Sequence, residues 1–538
     1  MTRALLEVEG LTVALPSGAD RAYAVVDASM NVDRGEIVCV IGESGSGKSV
    51  TANAIMGLLP RPRVRPVAGR ILFEGIDLLT LDSDALRDFR GRRASMIFQE
   101  PMTALNPLMR VGDQLREAFD SHPTLSDRER DARIVSLFDE VGLPDPATIG
   151  RQYPFRLSGG QRQRVMIAMA LAIEPALLIA DEPTTALDVT TQSQILSLIR
   201  DLQRKTGMGV MFITHDFGVV AEIADRIAVM QHGVIVEQGS AAQILTQPSH
   251  PYTKQLLAAV PSLVPPPPRA LRAEAAVLEV ANLDKTYRVG GGLFRATRTV
   301  AAVRQVSLAL QPGETLGLVG ESGSGKSTLG RCIVRLMAID AGHIHYKGVD
   351  LASLSGAPLR AARRTLQVVF QDPVASLNPR HTVGRTIAEG QFAQGVSWAD
   401  ALTRARELML LVGLEPQAIE RYPHEFSGGQ RQRIGIARAL ALNPDVLIAD
   451  EPVSALDVSV QAQVLELLRD LRERLGLAMI FITHDLRVAA QIADRIAVMR
   501  LGEIVEEAAT AELFRAPQHP YTRELLAAVP GRASALRV

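Results

Sequence analysis

Short uninterrupted runs of apolar residues recur along the chain, and each run ends in glycine or in a polar cluster. The runs form three pairs: EIVCVIG (36–42) with ETLGLVG (314–320), PALLIAD (175–181) with PDVLIAD (444–450), and VMFITHD (210–216) with AMIFITHD (478–485). Apolar runs of this length without alternation are typical of strands buried on both faces of a parallel sheet. The pattern predicts an α/β fold with its ligand site at the carboxyl ends of the strands.

The pairing of these runs reflects an internal duplication of the whole chain. Further landmarks repeat at offsets of 272 or 269 residues: LLEVEGL (5–11) with VLEVANL (277–283), FQEPMTALNP (98–107) with FQDPVASLNP (370–379), SGGQRQR (158–164) with SGGQRQR (427–433), and HPYT (250–253) with HPYT (519–522). Insertions such as VGGGLFRATRT (289–299) fall between the motifs. Four prolines begin the segment PPPPRALRAE at Pro265 and favour an extended spacer. We therefore predict two domains, 1–264 and 277–538, joined by a Pro-rich linker at 265–276.

Length and composition agree with two ordinary globular domains. A chain of 538 residues exceeds what a single core usually holds, and its composition of 47% hydrophobic and 22% charged residues is that of a folded protein. The net charge of -1 gives no basic field for nucleic acid, and the local run RPRVRP (61–66) is interpreted as a solvated loop.

Cysteine usage and hydropathy restrict the compartment. The only cysteines, Cys39 and Cys332, do not occupy equivalent places in the two copies, so neither a disulfide framework nor a cysteine metal site is expected. A reducing cytosol is the simplest compartment. No segment approaches the roughly 18 apolar residues of a membrane span, and no export signal is visible.

The octet GESGSGKS occurs twice and matches the phosphate-binding pattern G-x-x-x-x-G-K-S. Its glycines let backbone N–H groups turn toward phosphate oxygens, its lysine reaches the outer phosphates, and its last serine can ligate magnesium. The candidate nucleotide-binding residues are Gly42, Glu43, Ser44, Gly45, Ser46, Gly47, Lys48 and Ser49 in the first copy, and Gly320, Glu321, Ser322, Gly323, Ser324, Gly325, Lys326, Ser327 and the following Thr328 in the second.

Acidic and histidine residues end the other two buried runs of each copy. Asp181 and Asp450 are placed to hold the magnesium shell, and the adjacent Glu182 and Glu451 to orient or deprotonate the attacking water. The histidines at the ends of the next strands are candidate γ-phosphate sensors or water positioners; they are His215 and His484.

A serine and two glycines open an apolar-periodic helix in each copy and form a second anion-binding helix N-terminus. The residues are Ser158, Gly159, Gly160 and Gln161, and Ser427, Gly428, Gly429 and Gln430. Each copy thus has two predicted phosphate contacts but one P-loop.

With ADEPTTALD and ADEPVSALD following the serine–glycine motif, the set resembles the ATP-binding cassette (ABC) ATPases over nearly the whole chain. The resemblance implies two tandem nucleotide-binding domains, each with a mainly parallel sheet core, an antiparallel β part and a helical signature subdomain. It also implies ATP and Mg²⁺ as cofactors, with ATP between the two cassettes, where the P-loop of one faces the signature motif of the other.

A finer resemblance is carried by FQEPMTALNP, FQDPVASLNP and the two HPYT segments, which are similar to those of ATP-binding subunits of bacterial dipeptide and oligopeptide importers, here fused. The resemblance implies that Gln99 and Gln371 contact magnesium and water. It further implies two transmembrane permease subunits and an external solute-binding protein as partners, at the cytoplasmic face of the bacterial inner membrane. Some relatives hold an iron–sulfur cluster after HPYT; no cysteine stands there, so none is expected.

The two nucleotide sites are expected to differ. The adenine-stacking aromatic of the family corresponds to Tyr287 in the second copy, whereas Leu15 holds the equivalent place in the first, with Tyr23 nearby as a substitute. Thr328 follows the second octet and Val50 the first. We therefore expect weaker nucleotide binding in the first site and hydrolysis in both.

These features predict an ATP-hydrolysing, energy-coupling subunit of a bacterial ABC importer for peptides or similar small solutes; peptide, nickel, glutathione and opine-like solutes all remain compatible. The alternative is a soluble tandem ABC ATPase that acts on ribosomes. Such proteins carry a long charged helical linker between their cassettes, whereas the spacer in this chain is short and proline-rich. DNA-repair ABC ATPases insert zinc modules or coiled coils, but this sequence has neither cysteine pairs nor extended heptads. A non-hydrolysing module would be expected to have lost a catalytic glutamate or histidine, but both copies keep these residues.

Overall fold

The structure is a computed structural model that describes residues 4–100, 104–120, 126–185, 187–270, 274–289, 298–454 and 456–531. The chain divides into two compact units, of which the first runs to Val260 and the second covers Pro261–Ala528. Parts of the repeated sequence landmarks lie outside the described residues: 101–103 after the first Q-loop, 186 and 455 in the two DEP motifs, 271–273 in the linker and 290–297 in the Gly-rich insertion.

Within the part of the chain that the structure describes, each unit contains ten strands. Those of the first unit are β1 Leu6–Ala14, β2 Tyr23–Val32, β3 Ile37–Ile41, β4 Arg65–Phe73, β5 Ile76–Asp77, β6 Ala94–Ile97, β7 Leu177–Asp181, β8 Gly209–Thr214, β9 Arg226–Gln231 and β10 Val234–Ser240. Those of the second unit are β11 Leu278–Val289, β12 Arg298–Leu310, β13 Thr315–Val319, β14 Ala341–Tyr346, β15 Val349–Asp350, β16 Leu366–Val369, β17 Val446–Asp450, β18 Ala478–Thr483, β19 Arg495–Arg500 and β20 Glu503–Ala509.

The strands of each unit form two sheets with the same topology in both copies. A six-stranded sheet has the order β10-β9-β3-β8-β7-β6 in the first unit and β20-β19-β13-β18-β17-β16 in the second. Its strands are parallel except for the antiparallel edge strands β10 and β20. A four-stranded antiparallel sheet has the order β2-β1-β4-β5, repeated as β12-β11-β14-β15.

Helices surround these sheets. The first unit contains Lys48–Ile55, Ser83–Arg92, Val111–Asp120, Asp127–Glu140, Pro146–Ile149, Gly159–Leu171, Val189–Thr206, Phe217–Ile223, Ala241–Thr246 and Pro251–Ala258, with 3₁₀ turns at Leu78–Thr80 and Pro154–Arg156. The second contains Lys326–Ile333, Gly356–Thr365, Pro373–Ser376, Val383–Phe392, Trp398–Leu411, Gly428–Leu440, Val458–Leu475, Leu486–Ile492, Thr510–Arg515 and Pro520–Ala527, with 3₁₀ turns at Pro416–Glu420 and Pro423–Glu425.

The position of β3 inside the six-stranded sheet, between β9 and β8, explains why its sequence is continuously apolar. Ile37, Cys39 and Ile41 pack into the cluster on one face of the sheet, whereas Val38 and Val40 pack into the cluster on the other. Every residue of this strand is buried, as sequence alone predicted. The carboxyl ends of β3, β7 and β8 therefore meet at one edge, which carries the P-loop, Asp181 and His215.

The signature helix Gly159–Leu171 belongs to a separate helical part. Its Val165 and Ile167 share a buried cluster with Leu115 of helix Val111–Asp120 and Phe138 of helix Asp127–Glu140. The predicted fold class, with a mainly parallel core, an antiparallel part and a helical signature subdomain in each cassette, is confirmed. Among the described residues, no helix combines the length and hydropathy needed to cross a membrane.

Candidate active site

The first P-loop connects β3 to helix Lys48–Ile55 and encloses its own lysine. The Lys48 side chain is buried, and its Nζ donates to the carbonyl oxygens of Gly42 at 2.7 Å and Glu43 at 2.9 Å. The second P-loop repeats this arrangement, since Nζ of Lys326 donates to Gly320 at 2.7 Å and Glu321 at 2.8 Å. The ammonium groups are thus fixed inside the loops, where phosphate oxygens bind in P-loop proteins.

Two glycines of the first loop allow it to run close to the neighbouring backbone. Gly42 and Gly47 have φ angles of 153° and 107°, and a Cβ atom on either would lie 2.1 Å from the Met230 carbonyl oxygen or 2.6 Å from that of Ala24. No side chain fits at either position without displacement of backbone. Gly42 and Gly47 are therefore required by packing, in addition to their predicted role in phosphate binding.

The magnesium candidates lie together at the base of each P-loop. Ser49 Oγ donates to Asp181 Oδ1 at 3.1 Å, and Ser327 Oγ donates to Asp450 Oδ1 at 2.7 Å. Both aspartates are buried. A hydroxyl and a carboxylate at this spacing are the hard oxygen donors that Mg²⁺ prefers, so the residues present fit this cation.

A glutamate, a histidine and a glutamine meet beside this pair in the first cassette. Glu182 Oε1 accepts from His215 Nδ1 at 3.3 Å, while Glu182 Oε2 accepts from Gln99 Nε2 at 2.9 Å and from Thr185 Oγ1 at 3.0 Å. The carboxylate is therefore surrounded by donors, which favours its ionised form. Sequence reasoning named the first three residues, but it did not single out Thr185.

The second cassette repeats this group around Glu451. Gln371 Nε2 donates to Oε2 of Glu451 at 2.9 Å, and His484 Nδ1 lies 3.2 Å from the same oxygen. Ser454, at the place of Thr185, instead donates from its Oγ to the Glu451 carbonyl at 3.2 Å. The predicted catalytic residues thus come together in both copies, with one difference in the hydroxyl contact.

The two acidic residues of each pair titrate in opposite directions. Burial raises the pKa of Asp181, and the adjacent Glu182 charge adds to this effect. Burial alone would also raise the pKa of Glu182, but the hydrogen bond and charge of His215 outweigh it and hold the pKa at about 2. Glu451 has a lowered pKa for the same reasons, and its contact raises the pKa of His484 although burial opposes this. Each glutamate is therefore ionised at neutral pH.

Both glutamates also have an uncommon backbone conformation. The φ angle is 47° at Glu182 and at Glu451, in the left-handed region that costs a non-glycine residue about 1–2 kcal/mol. The backbone N–H groups of these residues donate to Ile213 and Ile482 at 2.9 and 3.0 Å, which holds the turn against the neighbouring strand. Strain at the same residue in both copies marks a position that the surrounding structure determines.

The signature serines cap their helices. Ser158 Oγ accepts from the backbone N–H of Gln161 at 3.2 Å, and the side-chain oxygen of Gln161 accepts from the Ser158 N–H at 3.0 Å. The same capping box joins Ser427 and Gln430 at 3.3 and 2.9 Å. Both serines are exposed, so the predicted anion-binding N-termini of these helices are open to a ligand.

The adenine-side residues differ between the cassettes. In the second, the Tyr287 hydroxyl lies 3.3 Å from Thr328 Oγ1 and donates to Met337 Sδ at 3.3 Å. In the first, Leu15 and Val50 pack against an apolar cluster, and Tyr23 is 45% exposed. The expected inequality of the sites stays a prediction.

Sequence reasoning missed two further kinds of contact with the P-loops. The Arg21 guanidinium donates to the Gly45 carbonyl, and the tyrosines of the HPYT segments approach both loops. The recurrence of HPYT at a constant offset was the available signal for the second contact. Nothing in the sequence around Arg21 indicates the first.

Comparisons with known proteins agree with this geometry. A family model described as "ABC transporter" matches residues 25–185 and 303–454, and one described as "Oligopeptide/dipeptide transporter, C-terminal region" matches residues 236–301 and 505–537. The chain therefore belongs to the ABC transporter family, and within it to the peptide importer group, and it is an ATPase.

Its similar relatives include two proteins named "Glutathione import ATP-binding protein GsiA". The chain is 49% identical over 565 residues to that of Salmonella paratyphi A, which covers 98% of this chain and 90% of the relative. It is 49% identical over 557 residues to that of Escherichia coli K12, which covers 98% of this chain and 89% of the relative. These relatives support the importer prediction, and nothing in the comparisons favours the ribosomal alternative.

Proposed function

We propose that the chain drives import of glutathione or a peptide of similar size through a bacterial ABC transporter. The observation that carries this proposal is the complete hydrolytic group in both cassettes: a P-loop lysine, a serine–aspartate pair and a glutamate held by histidine and glutamine. Importers of this kind select their solute on an external binding protein, so the residues of this chain do not identify it. The proposed solute is therefore taken from the names of the relatives.

The lysines, glutamates and histidines of the two sites have different proposed roles in ATP hydrolysis. Lys48 and Lys326 place a positive charge inside each loop, where it stabilises the negative charge of the outer phosphates in the ground and transition states. Glu182 and Glu451 are the proposed general bases, because each is ionised and has lone pairs to orient a water molecule and accept its proton. The imidazoles of His215 and His484 contact these carboxylates and are the proposed γ-phosphate sensors.

Magnesium is the proposed metal. Ser49 with Asp181, and Ser327 with Asp450, would hold it, and the Gln99 and Gln371 side chains would add their amide oxygens, since the amide nitrogens already donate to the glutamates. When bound, Mg²⁺ neutralises charge on the phosphate oxygens. Its role predicts that a chelator abolishes ATP turnover and that added Mg²⁺ restores it; turnover that persists in excess chelator would contradict the metal assignment.

The proposed partners are two transmembrane permease subunits and, through them, an external solute-binding protein. The chain would then sit peripherally at the cytoplasmic face of the inner membrane. We expect it to be recovered with membranes when the permeases are co-expressed and to leave the membrane fraction when they are omitted.

Uptake of radiolabelled glutathione tests the proposed function. Cells that lack their own glutathione uptake should accumulate the label when they express this chain with its permeases and binding protein. Cells with Glu182→Gln and Glu451→Gln should not. Uptake of short peptides or nickel in place of glutathione would move the assignment to those solutes, and ATP-independent uptake would refute the energy-coupling role.

A further inference from the structure

The tyrosines of the two HPYT segments contact the P-loops of their own cassettes. Tyr252, in helix Pro251–Ala258, accepts a hydrogen bond at its hydroxyl from the backbone N–H of Glu43 at 3.2 Å. Tyr521, in helix Pro520–Ala527, accepts one from the N–H of Glu321 at the same distance. Both side chains are buried, with 5% and 3% exposure. The contact joins segments that are 209 residues apart in the first cassette and 200 residues apart in the second.

The segment that carries Tyr252 is itself fixed to the edge strand of the main sheet. The carboxylate of Glu237, in β10, accepts from the backbone N–H groups of Ser249 at 2.7 Å and His250 at 3.1 Å. The His250 Nδ1 then accepts from the Tyr252 N–H at 3.2 Å and caps the helix. The phenol is therefore presented from a well-anchored backbone.

The second cassette repeats the same anchor. Glu506, in β20, accepts from the N–H groups of Gln518 at 2.7 Å and His519 at 2.9 Å, and His519 Nδ1 accepts from the Tyr521 N–H at 3.2 Å. Because the anchors and the contacts with the P-loops recur together, they form one device that is present in each cassette.

The Tyr521 phenol also interacts with charged groups. Burial raises the pKa of its hydroxyl to about 12, and the nearby Glu321 charge adds to this effect, so the hydroxyl keeps its proton. The Arg500 guanidinium lies over its ring, 4.7 Å from the centroid. Gln231 holds the corresponding place in the first cassette. The second contact is therefore reinforced by a cation–π interaction with Arg500.

These contacts act on the part of the loop that must be ordered before phosphate binds. Glu43 and Glu321 are the second residues of their octets, next to Gly42 and Gly320, whose carbonyls accept from the P-loop lysines. A loop already held in its bound conformation loses less conformational entropy on binding, and this increases affinity. An untethered loop would bear that cost when the nucleotide arrives.

We infer that Tyr252 and Tyr521 are positioning residues of the two nucleotide sites: each hydroxyl holds the start of its own P-loop in the phosphate-binding conformation and so raises ATP affinity. The inference rests on the proposed function, because it takes the P-loops to be the ATP sites. It assigns the HPYT segments a role within the cassette, and it assigns Glu43 and Glu321 to the same contact.

The parent for the test is the full chain that carries Glu182→Gln and Glu451→Gln, so that ATP is not consumed. Tyr252→Phe and Tyr521→Phe are each added to this parent, and each variant is titrated with a fluorescent Mg-ATP analogue. Phenylalanine keeps the ring and its packing but removes the hydroxyl. Loss of one hydrogen bond predicts an affinity lower by about threefold to tenfold. Tyr252→Phe should weaken only the first site and Tyr521→Phe only the second. Arg500→Gln should have a smaller effect on the second site.

Tyr346→Phe is the matched control, since the Tyr346 hydroxyl donates to the Asp445 carboxylate away from the P-loop. We expect this control to lower thermal stability as much as the test variants do, without a change in ATP affinity. Unchanged affinity in both test variants, or an equal change at both sites in either one, would overturn the inference. Failure of the parent chain to bind the analogue would instead refute the proposed function.

Amide hydrogen exchange supplies a second measurement that is independent of ATP. Peptides covering residues 40–47 and 318–325 should exchange faster in the respective Tyr→Phe variant than in the parent, each without effect on the other cassette. Parent-like exchange in these peptides would show that the hydroxyls do not hold the loops, and it would overturn the inference even if affinity changed.

Discussion

At the scale of single residues, Glu182 and Glu451 combine ionisation, donor contacts and a strained backbone. Each is next to a buried aspartate, but the pKa of the aspartate is raised and that of the glutamate is lowered. The histidine contact accounts for this separation, since burial acts in the same direction on all four carboxyl groups. Each glutamate is therefore ionised at neutral pH beside an aspartate that is protonated more readily than usual.

We predict that the pair of substitutions Glu182→Gln and Glu451→Gln leaves Mg-ATP binding intact and lowers ATP turnover by about 100-fold to 10,000-fold, because the amide keeps the shape and loses the base. Turnover and equilibrium binding measured on the same preparation check this. Glu503→Gln is the control, since Glu503 forms only a 3.6 Å surface pair with Arg304. Retained turnover would move the chemistry to other residues, with His215 and His484 the next to replace.

The two nucleotide sites differ at residues that do not take part in the chemical step. We predict that the first site binds ATP on the order of tenfold more weakly than the second, because a stacked aromatic contributes about 1–3 kcal/mol and about 1.4 kcal/mol corresponds to tenfold. Tyr287→Leu should bring the two affinities together, as should Leu15→Tyr with Val50→Thr. Two indistinguishable sites in the parent chain, with Tyr23→Ala silent, would contradict this prediction.

At the scale of elements, the segment after the first cassette is attached to the second unit. Arg269 donates from Nε and a terminal nitrogen to the two carboxylate oxygens of Asp494 at 3.0 and 2.8 Å, and Gln491 Nε2 donates to the carbonyls of Ser262 and Val264 at 2.8 and 2.9 Å. In the first unit, Arg200 of the local helix pairs with Asp225, the counterpart of Asp494, at 3.0 Å. Asp494 thus pairs with the linker arginine in addition to Arg472 of the second unit's own helix, which lies 3.7 Å away.

We predict that Arg269→Ala lowers the free energy of unfolding of the second unit by about 1 kcal/mol, a charge-assisted pair reduced by partial exposure. The only tryptophan of the chain, Trp398, lies in the second unit, so its fluorescence in urea reports that unit selectively. Arg304→Ala is the control and should change stability by less than about 0.5 kcal/mol. Equal effects of the two variants would show that the linker contact does not stabilise the unit.

The parallel sheets could be predicted from the sequence because their strands are buried on both faces and read as unbroken apolar runs. The strand β1, with the sequence LEVEGLTVA, could not be predicted in the same way. A register shift between Val8 and Leu11 interrupts the regular alternation of buried and less buried side chains along this strand. The site residues could be identified because they repeat at constant spacing. Their individual contacts, such as Thr185 with Glu182 or Tyr252 with Glu43, depend on packing between distant segments that no local pattern records.

At the scale of the whole molecule, duplication gives every chain two P-loops, and the number of bound nucleotides should show it. We predict that the full chain with both Glu→Gln substitutions binds two ATP molecules and that adding Lys48→Ala or Lys326→Ala reduces this number to one. The site left by Lys48→Ala should be the tighter. Calorimetric titration counts the sites, and two sites of unchanged affinity in either lysine variant would contradict the role of that lysine.

The left-handed backbone at Glu182 and Glu451 has a consequence for directed evolution. Glycine adopts this conformation without the steric cost that glutamate bears there, so Glu→Gly relieves backbone strain. In the first cassette the same change removes the carboxylate that accepts from His215, Gln99 and Thr185, and each such hydrogen bond contributes about 0.5–1.5 kcal/mol. The lost hydrogen bonds offset the relieved strain, so a library sorted for heat resistance alone is expected to retain glutamate at this codon.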